Sequence, residues 1–275
     1  MEVQNNTVVA DNGALLRGAH GNATNHVYKD LSWWEDLRDT YKLNVVRLDT
    51  RITKPHDSND VEDLVNMNNL FANVDDAVDT AELAGMYIII DNHTSCCLKY
   101  NPELVRRFWE MAAPRYKDRT HVMYELQNEP VTGNKGFEDV DIQFQEEMYH
   151  FIRQRAPDTH IILWSFAKIT NTSKSAVDRA PGIDYSNASV GAHPYGHLTR
   201  DIGFEHLSEL RSSYPVLISE FTILKETDPA QVWNYAEDQE LSWVYLDRRD
   251  GGNHGDGVAD PEEWPLNWPG DPACP

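Results

Sequence analysis

Two glutamates stand out for the company they keep: Glu129 in Asn128-Glu129-Pro130 and Glu220 in Ile218-Ser219-Glu220-Phe221, each at the end of a short apolar run. Two carboxyl groups drawn from distant parts of a chain suit acetal hydrolysis. One must protonate the departing oxygen while the other stabilises or attacks the cationic carbon. Taken singly, each has an ordinary alternative, a capping or loop carboxylate for Glu129 and half of a salt bridge for Glu220. Their joint placement carries the argument, because other apolar runs also end in polar side chains: Arg47 and Asp49, Asp91-Asn92-His93, and His193-Pro194-Tyr195, with Trp243 inside the last run.

The elements that must position these residues alternate. Eight strand-like runs fall at Ala14 to Ala19, Asn44 to Asp49, Met86 to Asn92, His121 to Gln127, His160 to Ser165, Ser189 to His193, Pro215 to Glu220 and Leu241 to Leu246. Runs such as Tyr87-Ile88-Ile89-Ile90 are apolar on both faces, as fully covered parallel strands require. Helical spacing is read at Asp30 to Tyr41, Leu70 to Ala84, Pro102 to Tyr116, Asp141 to Arg155, Phe204 to Ser213 and Pro229 to Gln239. An α/β fold is expected, a (β/α)8 or TIM barrel in one catalytic domain over residues 1–275, with the site at the carboxyl ends of the strands. The fourth and seventh runs would then face each other, with Glu129 and Glu220 at the ~5–5.5 Å separation of a retaining glycosidase. The Pro/Gly/Asp-rich tail, 248–275, cannot support a long last helix, so that helix is expected to be reduced or missing. Trp264 and Trp268 in the tail would wrap the wall or help line the cleft.

Composition narrows the partners. The 275 residues carry 45 acidic and 24 basic side chains, a formal charge of -21, so nucleic acid, anionic bilayers and polyanionic sugars are disfavoured while a neutral polysaccharide is indifferent to the field. An acidic surface also serves solubility. No long apolar stretch or basic-then-apolar leader is visible, so no membrane partner is expected. Cys96, Cys97 and Cys274 match no disulfide framework or zinc spacing and read as free thiols, a bridge from Cys274 to one of the pair being the alternative. No cofactor and no metal are expected, and a monomer is.

The motifs from Leu15-Leu16-Arg17-Gly18 to Trp243 resemble glycoside hydrolase family 5, the cellulase family of retaining β/α-barrel glycosidases. Asn128-Glu129-Pro130 is similar to the family's acid/base motif and Ile218-Ser219-Glu220-Phe221 to its nucleophile motif. Arg47 looks like its strand-two arginine, His93 its strand-three histidine, His193-Pro194-Tyr195 its strand-six pair and Trp243 its strand-eight platform. Asp49 departs from the proline common after Leu48.

The resemblance implies an endo-β-1,4-glucanase working by double displacement on cellulose or mixed-linkage glucan and secreted as a mature chain. Glu220 would be the nucleophile, held as a carboxylate near Arg47, and Glu129 the acid/base, its proton affinity raised by the charge of Glu220. Asn128 would donate to the sugar 2-hydroxyl, Tyr195 would orient Glu220, and His93 and His193 would hold hydroxyls. Trp243 would stack on a sugar ring, with core packing the ordinary alternative. His20, Asn22 and Trp34, with Trp33, are candidates for outer subsites, against a packing role for the tryptophans. An endo-β-1,4-mannanase or glucomannanase shares the same chemistry. Two further readings compete: a metal-dependent hydrolase gathering His20, His26, Asp91, His93 and His193, and a non-catalytic carbohydrate-binding barrel.

Overall fold

The computed structural model describes residues 1–23, 29–50, 60–93, 102–131, 136–194, 201–221 and 229–246. In chain order the strands are β1 (Glu2–Gln4), β2 (Thr7–Val9), β3 (Arg17–Asn22), β4 (Val45–Asp49), β5 (Tyr87–Asp91), β6 (Val122–Glu125), β7 (His160–Phe166), β8 (Ala188–Ala192), β9 (Val216–Phe221) and β10 (Trp243–Tyr245). Strands β3 to β10 pair in parallel, each with the next, and β10 pairs back with β3 through Trp243↔Arg17 and Tyr245↔Ala19. The sheet is therefore closed, an eight-stranded parallel barrel with helices between its strands, as expected.

The helices are α1 (Leu31–Asp39), α2 (Asp60–Ala84), α3 (Pro102–Tyr116), α4 (Asp139–Arg153), α5 (Ser173–Asp178), α6 (Asp201–Arg211) and α7 (Pro229–Asp238). Local chemistry sets several of their ends. The Asp30 side chain caps α1 by accepting from Ser32 N at 3.0 Å, and α2 stops at Gly85, whose φ of +69° suits glycine. Six of these helices match the periodic segments. The six-residue α5 was not expected, being too short to show a helical repeat.

Alternation along the strands sorts side chains into two layers. Val45, Ile89, Met123, Ile162, Leu217 and Val244 meet inside the barrel, while Val46, Leu48, Ile88, Ile90 and Tyr124 face outward against helix residues such as Trp34, Phe71, Phe108 and Trp109. One step further along β4, β5 and β6 the inner row turns polar, at Arg47, Asp91 and Glu125, all fully buried.

The first thirteen residues supply an element not foreseen. β1 and β2 form an antiparallel hairpin, Gln4 opposite Thr7, turned by Asn5 and Asn6 with φ of +49° and +56°. Asn-Asn is well suited to such a two-residue turn. β2 bonds to β9 at Thr7↔Val216, and Val8 and Ala10 join the inner apolar layer, so the hairpin stoppers the amino-terminal mouth. This displaces the first barrel strand from Ala14 to Ala19 to Arg17–Asn22, because Leu15 bridges to Val9 instead. The tail with its reduced last helix, Trp264 and Trp268, and the three cysteines lie outside the described residues.

Candidate active site

The barrel brings Glu129 and Glu220 together. One carboxylate oxygen of each and one ring nitrogen of His193 lie within 4.8 Å of one another at the carboxyl ends of β6, β8 and β9. The Glu129 side chain is 24% exposed and that of Glu220 2%, so the pair forms the floor of the mouth without being sealed under apolar packing. Glu129 has a φ of +42°, a left-handed backbone unusual for a residue with a side chain and of the kind found where function fixes orientation.

Arg47 organises the floor. Its guanidinium donates from Nη1 to Glu220 Oε2 at 2.7 Å, from Nη2 to Asn128 Oδ1 at 2.9 Å and from Nε to Glu125 Oε2 at 2.5 Å, and Nη2 also lies 3.0 Å from Asp91 Oδ2. A planar fork of five N–H groups can serve four acceptors in this way, where a single ammonium could not. With its oxygen taken by Arg47, Asn128 has its amide NH2 left to donate. His93 Nδ1 lies 2.6 Å from Asp91 Oδ2, and His20 meets the His93 ring edge to face at 5.9 Å.

His193 joins the two halves of the site. Nδ1 lies 3.0 Å from Glu129 Oε1 and Nε2 lies 3.1 Å from Ser219 Oγ. Burial by itself would lower the pKa of His193, but the charge of Glu220 and the carboxylates of Glu125 and Glu129 facing its two ring nitrogens outweigh it and carry the group up to about 10. For Glu129, burial pushes upward, yet the His193 hydrogen bond and charge win and hold it below the ordinary carboxylate range. The net direction is the opposite of the one expected from the charge of Glu220 alone. In the unliganded protein the imidazolium, which sequence reading did not place beside Glu129, is the stronger influence.

Glu125 is the residue that sequence reading missed. It is fully buried, yet its carboxylate holds Arg47, Ser165 and Ser219. Arg47 and His193 hold it well below the ordinary range against the upward push of burial, whereas burial drives Asp91 upward beyond what Arg47 offsets. A bulge in β7 admits Ser165 to this network. Trp164 and Ser165 have φ of +72° and +31°, and the pairing with β8 shifts between Leu163 and Phe166. Regular alternation from Ile162 would send Trp164 inward. The bulge instead places Trp164 in the outer layer, its indole donating to the Tyr185 hydroxyl at 2.8 Å, and points Ser165 Oγ at Glu125 Oε1 at 2.6 Å.

Other expected site residues lie elsewhere. Trp243 is fully buried at the start of β10, level with Arg17, and its indole donates to Glu237 Oε1 on α7 at 2.8 Å. Val244 takes the inward position, so Trp243 packs between sheet and helix against Phe221 and Trp233 and presents no face to a sugar. Trp34 is likewise buried under α1, edge to face with Trp33. His20 does reach the floor. Tyr195, His26 and the side chain of Asn22 lie outside the described residues. His20, Asp91 and His93 converge within 4.8 Å, but Arg47 already supplies the positive charge beside Asp91 and Glu220, which opposes a divalent ion in either cluster. Among the described residues no helix is long and apolar enough to cross a membrane.

Comparison with known proteins places this geometry. The family described as Cellulase (glycosyl hydrolase family 5) matches residues 19–251. Endoglucanase E-5 of Thermobifida fusca is 32% identical over 151 residues, 52% of this chain and 32% of that protein. Endoglucanase A of Butyrivibrio fibrisolvens is 31% identical over 222 residues, 76% of this chain and 48% of that protein, so the chain spans less than half the length of either relative. The solved catalytic domain of the Thermobifida fusca endoglucanase shares the fold, with a TM-score of 0.69 over 90% of this chain and 85% of that chain at 23% identity. A variant of that domain in complex with cellotetraose matches with a TM-score of 0.68 at 22% identity, over 90% of this chain and 85% of that one. With the match spanning both glutamates and every barrel strand but the first two residues of β3, the chain belongs to the cellulase family, glycosyl hydrolase family 5.

Proposed function

We propose that this chain is an endo-β-1,4-glucanase that cleaves cellulose or mixed-linkage glucan with retention of configuration, as one catalytic barrel domain acting outside the cell, since a polymer of that kind does not enter one. The observation that supports the reading is that one carboxylate oxygen of Glu129 and one of Glu220 come within 4.8 Å of each other, a closeness that suits direct attack by a carboxylate. Inverting enzymes keep their carboxyl groups about 6.5–9.5 Å apart to admit a water.

Glu220 attacks the anomeric carbon while the bond from that carbon to the leaving oxygen breaks and Glu129 delivers a proton to the oxygen. The product is a glycosyl ester on Glu220. A water then gives its proton to Glu129 and attacks the same carbon from the other side, releasing the sugar and Glu220. Arg47 holds the Glu220 oxygen that is not attacking, and the free NH2 of Asn128 donates to the 2-hydroxyl as charge grows on the ring.

The proton for the first step lies in the hydrogen bond between His193 and Glu129. A sugar over the mouth excludes water from Glu129, which strengthens the upward push of burial and draws that proton onto the carboxylate. The glucan preference rests on the named relatives, both endoglucanases.

Initial rates on carboxymethyl cellulose, mixed-linkage glucan and glucomannan test the substrate. Faster hydrolysis of the pure glucans is expected; preference for the mannose-containing polymer overturns it, and binding without reducing-sugar release points to a non-catalytic barrel. Proton NMR of the first products tests the stereochemistry. The β-anomer should appear first, and an α-anomer appearing first ends the double-displacement reading.

A further inference from the structure

We propose that Glu125 is a positioning residue that sets where the catalytic proton resides, by anchoring Arg47 with one carboxylate oxygen and the Ser219–His193 pair with the other. The inference deepens the hydrolase reading and rests on it for its kinetic consequence, though not for its structural one.

The hydrogen-bond directions make the argument. Glu125 Oε2 accepts from Arg47 Nε at 2.5 Å, and Oε1 accepts from Ser165 Oγ at 2.6 Å and from Ser219 Oγ at 3.0 Å. Because Ser219 spends its only hydroxyl proton on Glu125, its oxygen can receive but not donate at His193 Nε2, 3.1 Å away. Nε2 must therefore carry a hydrogen, and Glu125 Oε1 itself lies 3.6 Å from it. With that nitrogen fixed as a donor, the variable proton of the pair sits between Nδ1 and Glu129 Oε1, on either the ring or the carboxylate.

The packing looks built for this contact. Gly191 on β8 lies against the two serines, where a Cβ would come within 2.8 Å of Ser165 Oγ and 3.0 Å of Ser219 Oγ, so a side chain there would push them off Glu125. The β7 bulge that turns Ser165 inward serves the same carboxylate.

The other charged groups around the pair are Arg47 from β4, Asp91 at the end of β5 and His93 just after it, Glu129 after β6 and Glu220 from β9. Glu125, fully buried like Asp91 and unlike the partly exposed Glu129, is sealed from solvent below the mouth, so its charge is set before substrate arrives. A negative charge at this position favours the protonated pair. Removing it should release the shared proton at lower pH.

The test compares the parent enzyme with Glu125→Gln, which keeps shape and removes charge, and Glu125→Asp, which keeps charge. In 15N-histidine NMR the His193 titration, identified by its loss in His193→Asn, should move to lower pH by about one unit or more in Glu125→Gln. The alkaline limb of kcat/KM should fall with it, and Glu125→Asp should restore much of both. If Glu125→Gln does not fold, Ser219→Ala should give a smaller shift in the same direction. A folded Glu125→Gln, or failing it a folded Ser219→Ala, whose His193 titration stays where it is in the parent overturns the proposal. Absence of hydrolysis by the parent would instead refute the proposed activity and leave the titration to decide this inference.

Discussion

A carboxylate oxygen of Glu129 and one of Glu220 lie within 4.8 Å of each other, although they reach the barrel mouth from β6 and β9, which are separated by β7 and β8 around the barrel. Each has its own cation, His193 for Glu129 and Arg47 for Glu220. Replacing either acid with glutamine should lower kcat by on the order of 10³-fold or more while leaving thermal unfolding close to that of the parent. The two variants should differ with an aryl cellobioside whose leaving group needs no proton. Glu129→Gln should form the glycosyl ester and be rescued by azide, yielding a β-glycosyl azide detectable by mass spectrometry. Rescue of Glu220→Gln with the same anomer would reverse the assignment.

Arg47 neutralises a cluster of carboxylates that have no water to turn to. Arg47→Met should therefore destabilise the fold by about 3–5 kcal/mol, the cost of leaving buried charges without their partner. Arg47→Lys should recover only part of this, because one ammonium cannot reach Glu125, Asn128 and Glu220 together. Urea denaturation midpoints for the three proteins measure it, and an Arg47→Met protein as stable as the parent contradicts the role.

Two buried histidines should tilt stability in opposite directions. His193, raised to about 10, contributes fully below its unfolded value near 6.5, and that contribution is lost as pH rises through about 10. Burial lowers His160 to about 3, so its contribution is present above about 6.5 and is lost as pH falls toward 3. His193→Gln should flatten the alkaline side of the stability profile and His160→Gln the acid side, each by a few kcal/mol at most. Denaturation midpoints from about pH 4 to 10 would show it, and an unchanged slope in either variant counts against that histidine.

Trp243 should behave as a packing residue. Trp243→Phe loses the indole donation to Glu237 and part of the volume between β10 and α7, and should cost about 1–3 kcal/mol of stability. KM for cello-oligosaccharides should stay near the parent value, and a large rise in KM without loss of stability would restore the sugar-platform reading.

These residues also mark how far the sequence could be read. Arg47, His93, Asn128, Glu129, His193 and Glu220 were legible because each stands at the end of an apolar run, where polarity is conspicuous. Trp243 was misplaced for the opposite reason: Leu241 to Leu246 is apolar at nearly every position, so nothing in it tells inward from outward. Glu125 did leave a signal, a charge two residues beyond Met123 inside an otherwise apolar strand, and the Asn5-Asn6 turn announced the hairpin. The partner of Glu129 was harder, since the approach of His193 depends on the angle between β6 and β8, which no spacing encodes.

The bulge at Trp164 and Ser165 makes β7 sensitive to its length more than to its composition. Removing Ser165 would bring the strand back into step and swing the large aromatic ring of Trp164 into the space that now holds a serine hydroxyl. The shell of the barrel could survive such an edit while its polar floor would be crowded out. Single-residue deletions scanned along β7 should therefore separate folding from turnover at this point on the strand, and natural changes of chain length would be confined to the loops on either side.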